Sequence, residues 1–279
     1  MTSEANNGPS NQPFQQVVVI TGSTRGIGYG LAADFLQLGC AVIVNGRSQA
    51  SVERAVAALA APHSEQCLLG CAGDMTVADQ VQALWNAAYA KFGRIDIWIN
   101  NAGLESRRVP FWELTPDELQ AVVATNLTGV MYGCRVAIQG MKAQGGGHIY
   151  NMEGFGSEGR MAPGLTAYGV TKYGLHYLTK ALVAETADLP VRISTINPGM
   201  VITDMLMDNI PPGREAETKR IYNILADRVE TVTPTLARRI LANQTTGARI
   251  EWLSTPQIIA RFVLARFRKR DLFAEDKPA

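Results

Sequence analysis

Four apolar β-branched or branched residues in succession, Val17-Val18-Val19-Ile20, run straight into a glycine-rich turn, Thr21-Gly22-Ser23-Thr24-Arg25-Gly26-Ile27-Gly28. A helical pattern then lasts through Leu38. A strand with no polar member has no face to show to water, so it belongs inside a parallel sheet covered on both sides. The rest of the chain repeats the alternation. Strand-like runs fall at 41–45, 67–70, 95–100, 148–152 and 191–197, and helical patterns at 48–60, 77–92, after Thr115 and at 167–187 separate them. This pace predicts an α/β fold with a doubly wound parallel sheet.

The length of 279 residues suits one such domain. A 47% hydrophobic content supplies its core, and a net charge of +1 offers no basic face for nucleic acid. Cys40, Cys67, Cys71 and Cys134 lack the partners of a metal set and read as reduced and structural. No apolar run reaches the roughly 20 residues of a membrane span. The first sixteen residues are polar and lack Lys and Arg, unlike a secretory or transit leader. The expectation is a disordered tail over 1–15, a single catalytic domain over 16–279 and a cytoplasmic protein. From Asp204 the pattern weakens, and substrate-side helices are expected within 204–270, at 214–227 and 256–266, with a break at Pro211-Pro212-Gly213. The basic end, Arg266, Arg268, Lys269 and Arg270, suits a helix dipole or a peripheral contact with an anionic membrane.

The turn after the first strand lets the backbone approach a phosphate, and a following helix offers free N–H groups. Gly22, Ser23, Thr24, Arg25, Gly26, Ile27 and Gly28 are therefore candidate phosphate contacts; an ordinary tight turn is the alternative. Their Gly-x-x-x-Gly-x-Gly spacing differs from the general dinucleotide fingerprint. The second strand ends in Asn45-Gly46-Arg47-Ser48, with no carboxylate to meet a ribose 2′-hydroxyl. Arg47 and Arg25 instead suit a 2′-phosphate, which selects NADPH over NADH; a solvated Arg47 is the alternative. Asp74, beside Met75, either accepts from an adenine amino group or caps a helix, where Thr76 and Asp79 form a capping-box pattern. Asn101, Ala102 and Gly103 leave room for a ribose at a strand's carboxyl end. Thr115-Pro116-Asp117-Glu118 is a helix start. Asn126 inside that helix implies a bend, an internal hydrogen bond or a held water. After Asn197-Pro198-Gly199-Met200-Val201, Thr203 is placed to bond a carboxamide. Finally, Tyr168 and Lys172 lie four residues apart, one turn along one helix face. An ammonium there is expected to lower the phenol pKa and make Tyr168 a proton donor and acceptor.

Thr-Gly-x-x-x-Gly-x-Gly at 21–28, Asn-Asn-Ala-Gly at 100–103, Asn126 and Tyr-x-x-x-Lys at 168–172 occur in one order. That set resembles the short-chain dehydrogenase/reductase family over about residues 16 to 205. The resemblance implies a Rossmann-type fold and hydride transfer from a nicotinamide to a carbonyl. Tyr168 would give the proton, Lys172 would bind the ribose and tune the phenol, and Asn126 would hold a relay water. Gly22, Gly26 and Gly28 would line the pyrophosphate, Asp74 would reach the adenine, Asn101 its ribose, and the segment 198–203 the nicotinamide. It also implies a homodimer or homotetramer through the helices near Asn126 and Tyr168.

One element departs. The family's catalytic Ser aligns with Gly154 in Asn151-Met152-Glu153-Gly154, and the nearest hydroxyl is Ser157, along a Gly-rich loop. Ser157 or a backbone N–H would then face the charge developing on the carbonyl. The stretches at 95–103, 151–160 and 198–207 are similar to the chlorophyll(ide) b reductase branch, which implies NADPH-dependent reduction of a chlorin formyl group. Met161, Leu165, Met200, Met205, Leu206 and Met207 would give an apolar entrance, or simply pack a lid. The rival readings are a generic ketone, alcohol or 3-oxoacyl thioester reductase, and a non-catalytic NADP(H)-binding sensor or scaffold.

Overall fold

The computed structural model describes residues 14–60, 65–210, 213–267 and 270–273. The opening apolar run is strand β1 (Val17–Ile20), which enters helix α1 (Gly26–Gln37) through the glycine-rich turn. The chain continues through β2 (Ala41–Gly46), α2 (Gln49–Ala60), β3 (Leu68–Ala72), α3 (Ala78–Phe92) and β4 (Ile97–Asn100). Helices α4 (Pro116–Val123) and α5 (Gly129–Gln144) precede β5 (Gly147–Met152), α6 (Thr166–Glu185) and β6 (Val191–Asn197). Last come β7 (Met200–Ile202), α7 (Asp204–Asp208), α8 (Glu215–Leu225), β8 (Ala226–Arg228), α9 (Val229–Ala242), β9 (Arg249–Glu251) and α10 (Thr255–Leu264).

Seven strands form one parallel sheet in the order β3-β2-β1-β4-β5-β6-β9. Alternate residues of β1 feed opposite faces. Val18 and Ile20 pack with Leu31 and Phe35 of α1 and Leu236 of α9. Val17 and Val19 pack with Trp85 of α3 and Met141 of α5. Each such side chain stabilises the fold by about 1.5–3 kcal/mol through burial. The doubly wound parallel sheet expected from the alternation is the fold observed.

Helix α9 and strand β9 were not legible in the sequence, nor were the short elements β7, α7 and β8. Helix α9 packs along α1, yet Pro234 and the β-branched Val229, Thr231, Val232, Thr233 and Thr235 hide it. Pro234 lies in its second turn and removes the N–H that would reach the Glu230 carbonyl, a loss that tertiary packing of Val232, Leu236 and Ile240 offsets. Strand β9 is only three residues long, too short for a periodicity to show.

Other expectations need correction. Residues 1–13 of the expected tail lie outside the described residues, as do 211–212 of the Pro-Pro-Gly break. Residues 14 and 15, assigned to that tail, are packed: Phe14 meets Phe92 edge-on at 5.5 Å and the Gln15 N–H donates to the Gly39 carbonyl at 2.8 Å. The capping box forms at Thr115 and Glu118. The one read at Thr76 and Asp79 does not, because Thr76 turns back to Asp74 Oδ1 with both its N–H and its hydroxyl, each at 2.8 Å. Among the described residues one continuous helix, Pro116–Gln144, is by length and composition alone apolar enough to cross a bilayer, a test that the core helix of a globular domain also passes. Its inner residues Val130, Cys134, Ala137 and Met141 lie in the core. Arg270 is engaged with Asp227 at 2.7 Å rather than free at a basic end, and Arg268 and Lys269 lie outside the described residues.

A buried histidine makes the fold acid-sensitive. His148 of β5 lies between Ser194 Oγ (2.9 Å) and the Tyr150 hydroxyl (3.2 Å). Burial first, and the Arg192 charge second, push its pKa down from 6.5 to about 3. The unfolded chain therefore takes up a proton below pH 6.5 that the folded chain refuses. The contribution is full above the unfolded value and is lost as pH falls towards 3. We expect urea-unfolding free energy to fall between about pH 6.5 and pH 5 with a slope from this residue of up to about 1.4 kcal/mol per unit. His148→Phe should flatten that slope.

Candidate active site

The turns at the carboxyl ends of the strands surround a cleft of about 2060 Å³. That exceeds the roughly 300–1,000 Å³ of a drug-sized pocket and leaves room for a dinucleotide together with a second large molecule. Gly22 and Gly26 hold φ of +61° and +60°, a left-handed turn that a side chain would strain. A Cβ at Gly28 would come within 2.8 Å of the Gly22 carbonyl oxygen and 2.9 Å of Ser23 Cα. No side chain caps α1, so its first N–H groups are left for an anion in the cleft. These are the features a pyrophosphate needs, and the residues present fit a dinucleotide.

Most residues singled out in the sequence line this cleft. They are Gly22, Thr24, Arg25, Gly26, Ile27, Gly28, Arg47, Ser48, Asp74, Met75, Asn101, Ala102, Gly103, Ser157, Tyr168, Lys172, Pro198, Gly199, Val201 and Thr203. Ser23 does not. It is fully buried, donates to the Ile20 carbonyl at 2.7 Å and accepts from the Asn45 N–H at 3.0 Å, so it braces the turn instead of contacting a ligand. The Asn101 side-chain amide likewise donates to the carbonyls of Thr21 (2.9 Å) and Gly22 (3.0 Å). Arg25 reaches across to Asp204 of α7 at 3.4 Å, whereas Arg47 and Arg54 have no ion-pair partner among the described residues. Of the expected apolar entrance, Leu165, Met200, Met205 and Leu206 line the cleft. Met161 projects into solvent outside it, and Met207 packs against the small cluster around Tyr222 and Phe273.

Asn126 is also outside the cleft. It lies in a π-helical turn, Ala124–Thr128, the bend that the sequence left as one of three options. Its Oδ1 accepts from the Leu104 N–H at 2.7 Å, and its Nδ2 donates to the Leu104 carbonyl (2.7 Å) and to Thr171 Oγ1 (3.2 Å). The side chain thus ties the loop after β4 to α6 beside Lys172.

On α6 the three residues Tyr168, Lys172 and His176 follow one another at four-residue spacing along the segment 152–154. Tyr168 stands over Gly154, where a Cβ would lie 2.2 Å from its hydroxyl oxygen. The phenol therefore occupies the room that the side chain of the usual Ser would take. Lys172 Nζ donates to the Met152 carbonyl at 3.0 Å. Ser157 is buried and its Oγ accepts from the Gly154 N–H at 3.2 Å, which leaves its own hydrogen to donate.

The electrostatics differ from expectation. Lys172 was expected to lower the Tyr168 pKa, but burial pushes the phenol well above its ordinary range, and the Glu105 carboxylate adds to this while Arg108 opposes it. The ammonium lies 5.6 Å from the ring centroid. Burial lowers its own pKa from 10.5 to about 8, with Glu153 holding it up. Tyr168 is thus a firmly protonated acid at neutral pH.

Sequence reasoning passed over four charged groups here. Glu105 and Arg108, in the loop after β4, form a largely buried pair at 2.5 Å, and Arg108 bonds the Tyr222 hydroxyl of α8 at 3.4 Å. Glu153 is buried and held by Arg249 of β9 at 2.8 Å. The one signal for these in the sequence was the carboxylate of Glu153 next to Gly154, the position with which the family's catalytic Ser aligns.

Residues 16–212 match the sequence model of the short chain dehydrogenase family. The chain belongs to that family. Among its relatives, a probable chlorophyll(ide) b reductase of Arabidopsis thaliana, described as chloroplastic, is 36% identical over 268 residues, covering 90% of this chain and 53% of the relative. A chloroplastic chlorophyll(ide) b reductase of Oryza sativa subsp. japonica is 41% identical over 230 residues, covering 81% and 66%. The chain spans about half the length of the first of these. A solved 3-ketoacyl-(acyl-carrier-protein) reductase from Brucella melitensis, complexed with NADH, superposes with a TM-score of 0.73 at 26% identity, covering 86% of this chain and 97% of that one. The likeness to the chlorophyll(ide) b reductase branch read from the motifs is the one the relatives show.

Two glycine substitutions separate the scaffold from the chemistry. Gly28→Ala meets backbone and should destabilise the short-chain dehydrogenase fold by about 1–3 kcal/mol, read as a lower thermal midpoint. Gly154→Ala meets the tip of Tyr168 and the Lys172 side chain but no backbone, and should leave the midpoint nearly unchanged. It should lower turnover on the order of 10²-fold, because the phenol is pushed out of place.

Proposed function

We propose that this chain is an NADPH-dependent carbonyl reductase acting on the formyl group of chlorophyll(ide) b and giving a hydroxymethyl group. The observation that carries the reading is a half-buried, protonated phenol beside a buried ammonium in a cleft large enough for a nucleotide and a macrocycle. The substrate class rests on the 36% and 41% identical reductases and on the resemblance of the stretch 151–160, where Glu153-Gly154 stands in place of the usual serine context, to that branch. NADPH over NADH rests on Arg47, a cation at the end of β2 with no ion-pair partner among the described residues, and on the absence of a carboxylate at that strand end.

NADPH, when bound, supplies the hydride. The protein supplies the proton and the geometry. Tyr168 gives its hydroxyl proton to the carbonyl oxygen as the carbon is reduced, so the aldehyde gains one hydride and one proton and leaves as an alcohol. The Ser157 hydroxyl, with its hydrogen free, faces the oxygen where charge develops. Lys172, kept in place by the Met152 carbonyl, holds a positive charge next to the phenolate left behind. Asn126 fixes the loop after β4 against α6 and so keeps Tyr168 and Lys172 at their station. Leu165, Met200, Met205 and Leu206 offer a flat apolar ring a pliable wall. The exposed apolar face formed by Met131 of α5 and Val170, Tyr173 and Tyr177 of α6 is the surface through which we expect two copies to pair.

A 3-oxoacyl thioester is the second reading, favoured by the likeness to the Brucella melitensis reductase. Following NADPH absorbance with a formyl chlorin and with a 3-oxoacyl thioester decides between them. Binding of NADPH without turnover of any carbonyl would favour a sensor. Tyr168→Phe should leave NADPH affinity within about twofold and lower turnover by at least about 10²-fold; unchanged turnover removes Tyr168 from the reaction. Arg47→Ala should weaken NADPH binding about tenfold, as expected for one charge-assisted contact, and leave NADH binding nearly unchanged.

A further inference from the structure

The row Tyr168, Lys172 and His176 on α6 extends one turn beyond the expected pair, and its third member meets a charge that the family pattern lacks. His176 Nδ1 lies 3.5 Å from Glu153 Oε1. Arg249 Nε donates to Glu153 Oε2 at 2.8 Å, and Arg249 also pairs with Glu158 at 2.8 Å and lies 3.6 Å from Glu251. The Glu153 side chain is 1% exposed, so its charge has almost no solvent to screen it. Glu153 directly follows Met152, whose carbonyl holds Lys172 Nζ, and a Cβ on the next residue, Gly154, would lie 3.2 Å from Lys172 Cε. The ammonium thus lies along the segment that carries the carboxylate.

A buried ammonium with one carbonyl partner tends to lose its proton unless a countercharge is near. Tyr168 and His176 flank Lys172 on its own helix, and Glu153, on the segment that holds Lys172, is linked to His176 and to Arg249, which in turn engages Glu158 and Glu251. Glu105 and Arg108, after β4, act on Tyr168. Of these, Glu153 is the one whose charge acts on Lys172 in the protonating sense. We propose that Glu153, clamped by Arg249, is a positioning residue that keeps Lys172 an ammonium, and that the Arg249–Glu158 bond ties this clamp to the loop bearing Ser157. The inference rests on the reading of Lys172 as the working cation of the site. It extends that reading by assigning the control of its charge to a carboxylate and an arginine outside the Tyr-x-x-x-Lys motif.

The test reads the lysine itself, on the full-length protein without added nucleotide. Lysine labelled with ¹³C at Cε is incorporated, the Lys172 signal is identified by its loss in Lys172→Met, and its shift is followed from about pH 6 to about pH 10. The wild-type midpoint is expected near pH 8. Glu153→Gln should move it down by about one unit, Glu153→Asp should restore most of the shift, and Arg249→Gln, which leaves the carboxylate uncompensated, should move it up. Opposite displacements by two substitutions that break the same bond cannot come from general loosening. A Glu153→Gln midpoint equal to the wild type or above it overturns the inference. If Glu153→Gln does not fold, Arg249→Gln decides, and a midpoint that fails to rise overturns it. Because no cofactor or substrate enters the measurement, a failed turnover assay bears on the proposed reaction alone.

Discussion

A strand that ends inside a protein must hand its last polar groups to something other than water. Here asparagines at the carboxyl edge of the sheet meet that demand, and the cleft exists because they do. Asn45, in β2, accepts from the Gly22 N–H at 3.1 Å and donates to the carbonyls of Cys71 and Gly73, joining three strand ends in one buried side chain. Asn100, at the end of β4, accepts from Trp98 Nε1 and donates to Asn151 Oδ1, each at 2.8 Å. Asn151 in turn donates to Thr179 Oγ1 of α6 at 2.9 Å. An amide both gives and takes, so a row of them spans strands without leaving a bond unmade. Asn101, next to Asn100, donates to the Thr21 and Gly22 carbonyls, so the glycine-rich turn, the end of β4 and helix α6 are registered to one another.

The same economy of space governs the reacting groups. With glycine at 154, the phenol can lie directly over the backbone, half-buried and protonated. A hydroxyl side chain there would compete with it for one volume. The chain places its available hydroxyl three residues on, in Ser157, which folds back onto the Gly154 N–H. The substitution of serine context by Glu153-Gly154 is therefore one change with two parts: an emptied position that admits the phenol and an added charge beside the ammonium.

The sheet was legible because strands buried on both faces tend to be continuous apolar runs, and β1 and the first four residues of β2 are. The ends of elements were legible where a local rule acts alone, as in the capping box at Thr115 and Glu118. Tertiary packing hid the rest. Pro234 and its β-branched neighbours argue against a helix, and only the surface of α1 makes one there. Cleft residues could be named from motifs, but a motif does not say which atom faces the ligand. Ser23 and Asn126 sit among true cleft residues in sequence, yet both turn their polar atoms inward. The sign of the Tyr168 shift was also beyond sequence, because burial, a long-range property, outweighs the lysine one turn away.

The charges that line the cleft are not paired alike. Arg47, at the end of β2, and Arg54 of α2 have no ion-pair partner among the described residues, so they attract an anion. Glu105 and Glu153 are each held by an arginine, Arg108 and Arg249, and Arg249 engages Glu158 and Glu251 as well. Removing a partner from such a largely buried pair would leave an uncompensated charge. The apolar residues Leu165, Met200 and Leu206 line the same cleft. Tyr168 and Lys172 line it too, so one cavity brings a proton donor and a positive charge together with unpaired cations and an apolar wall.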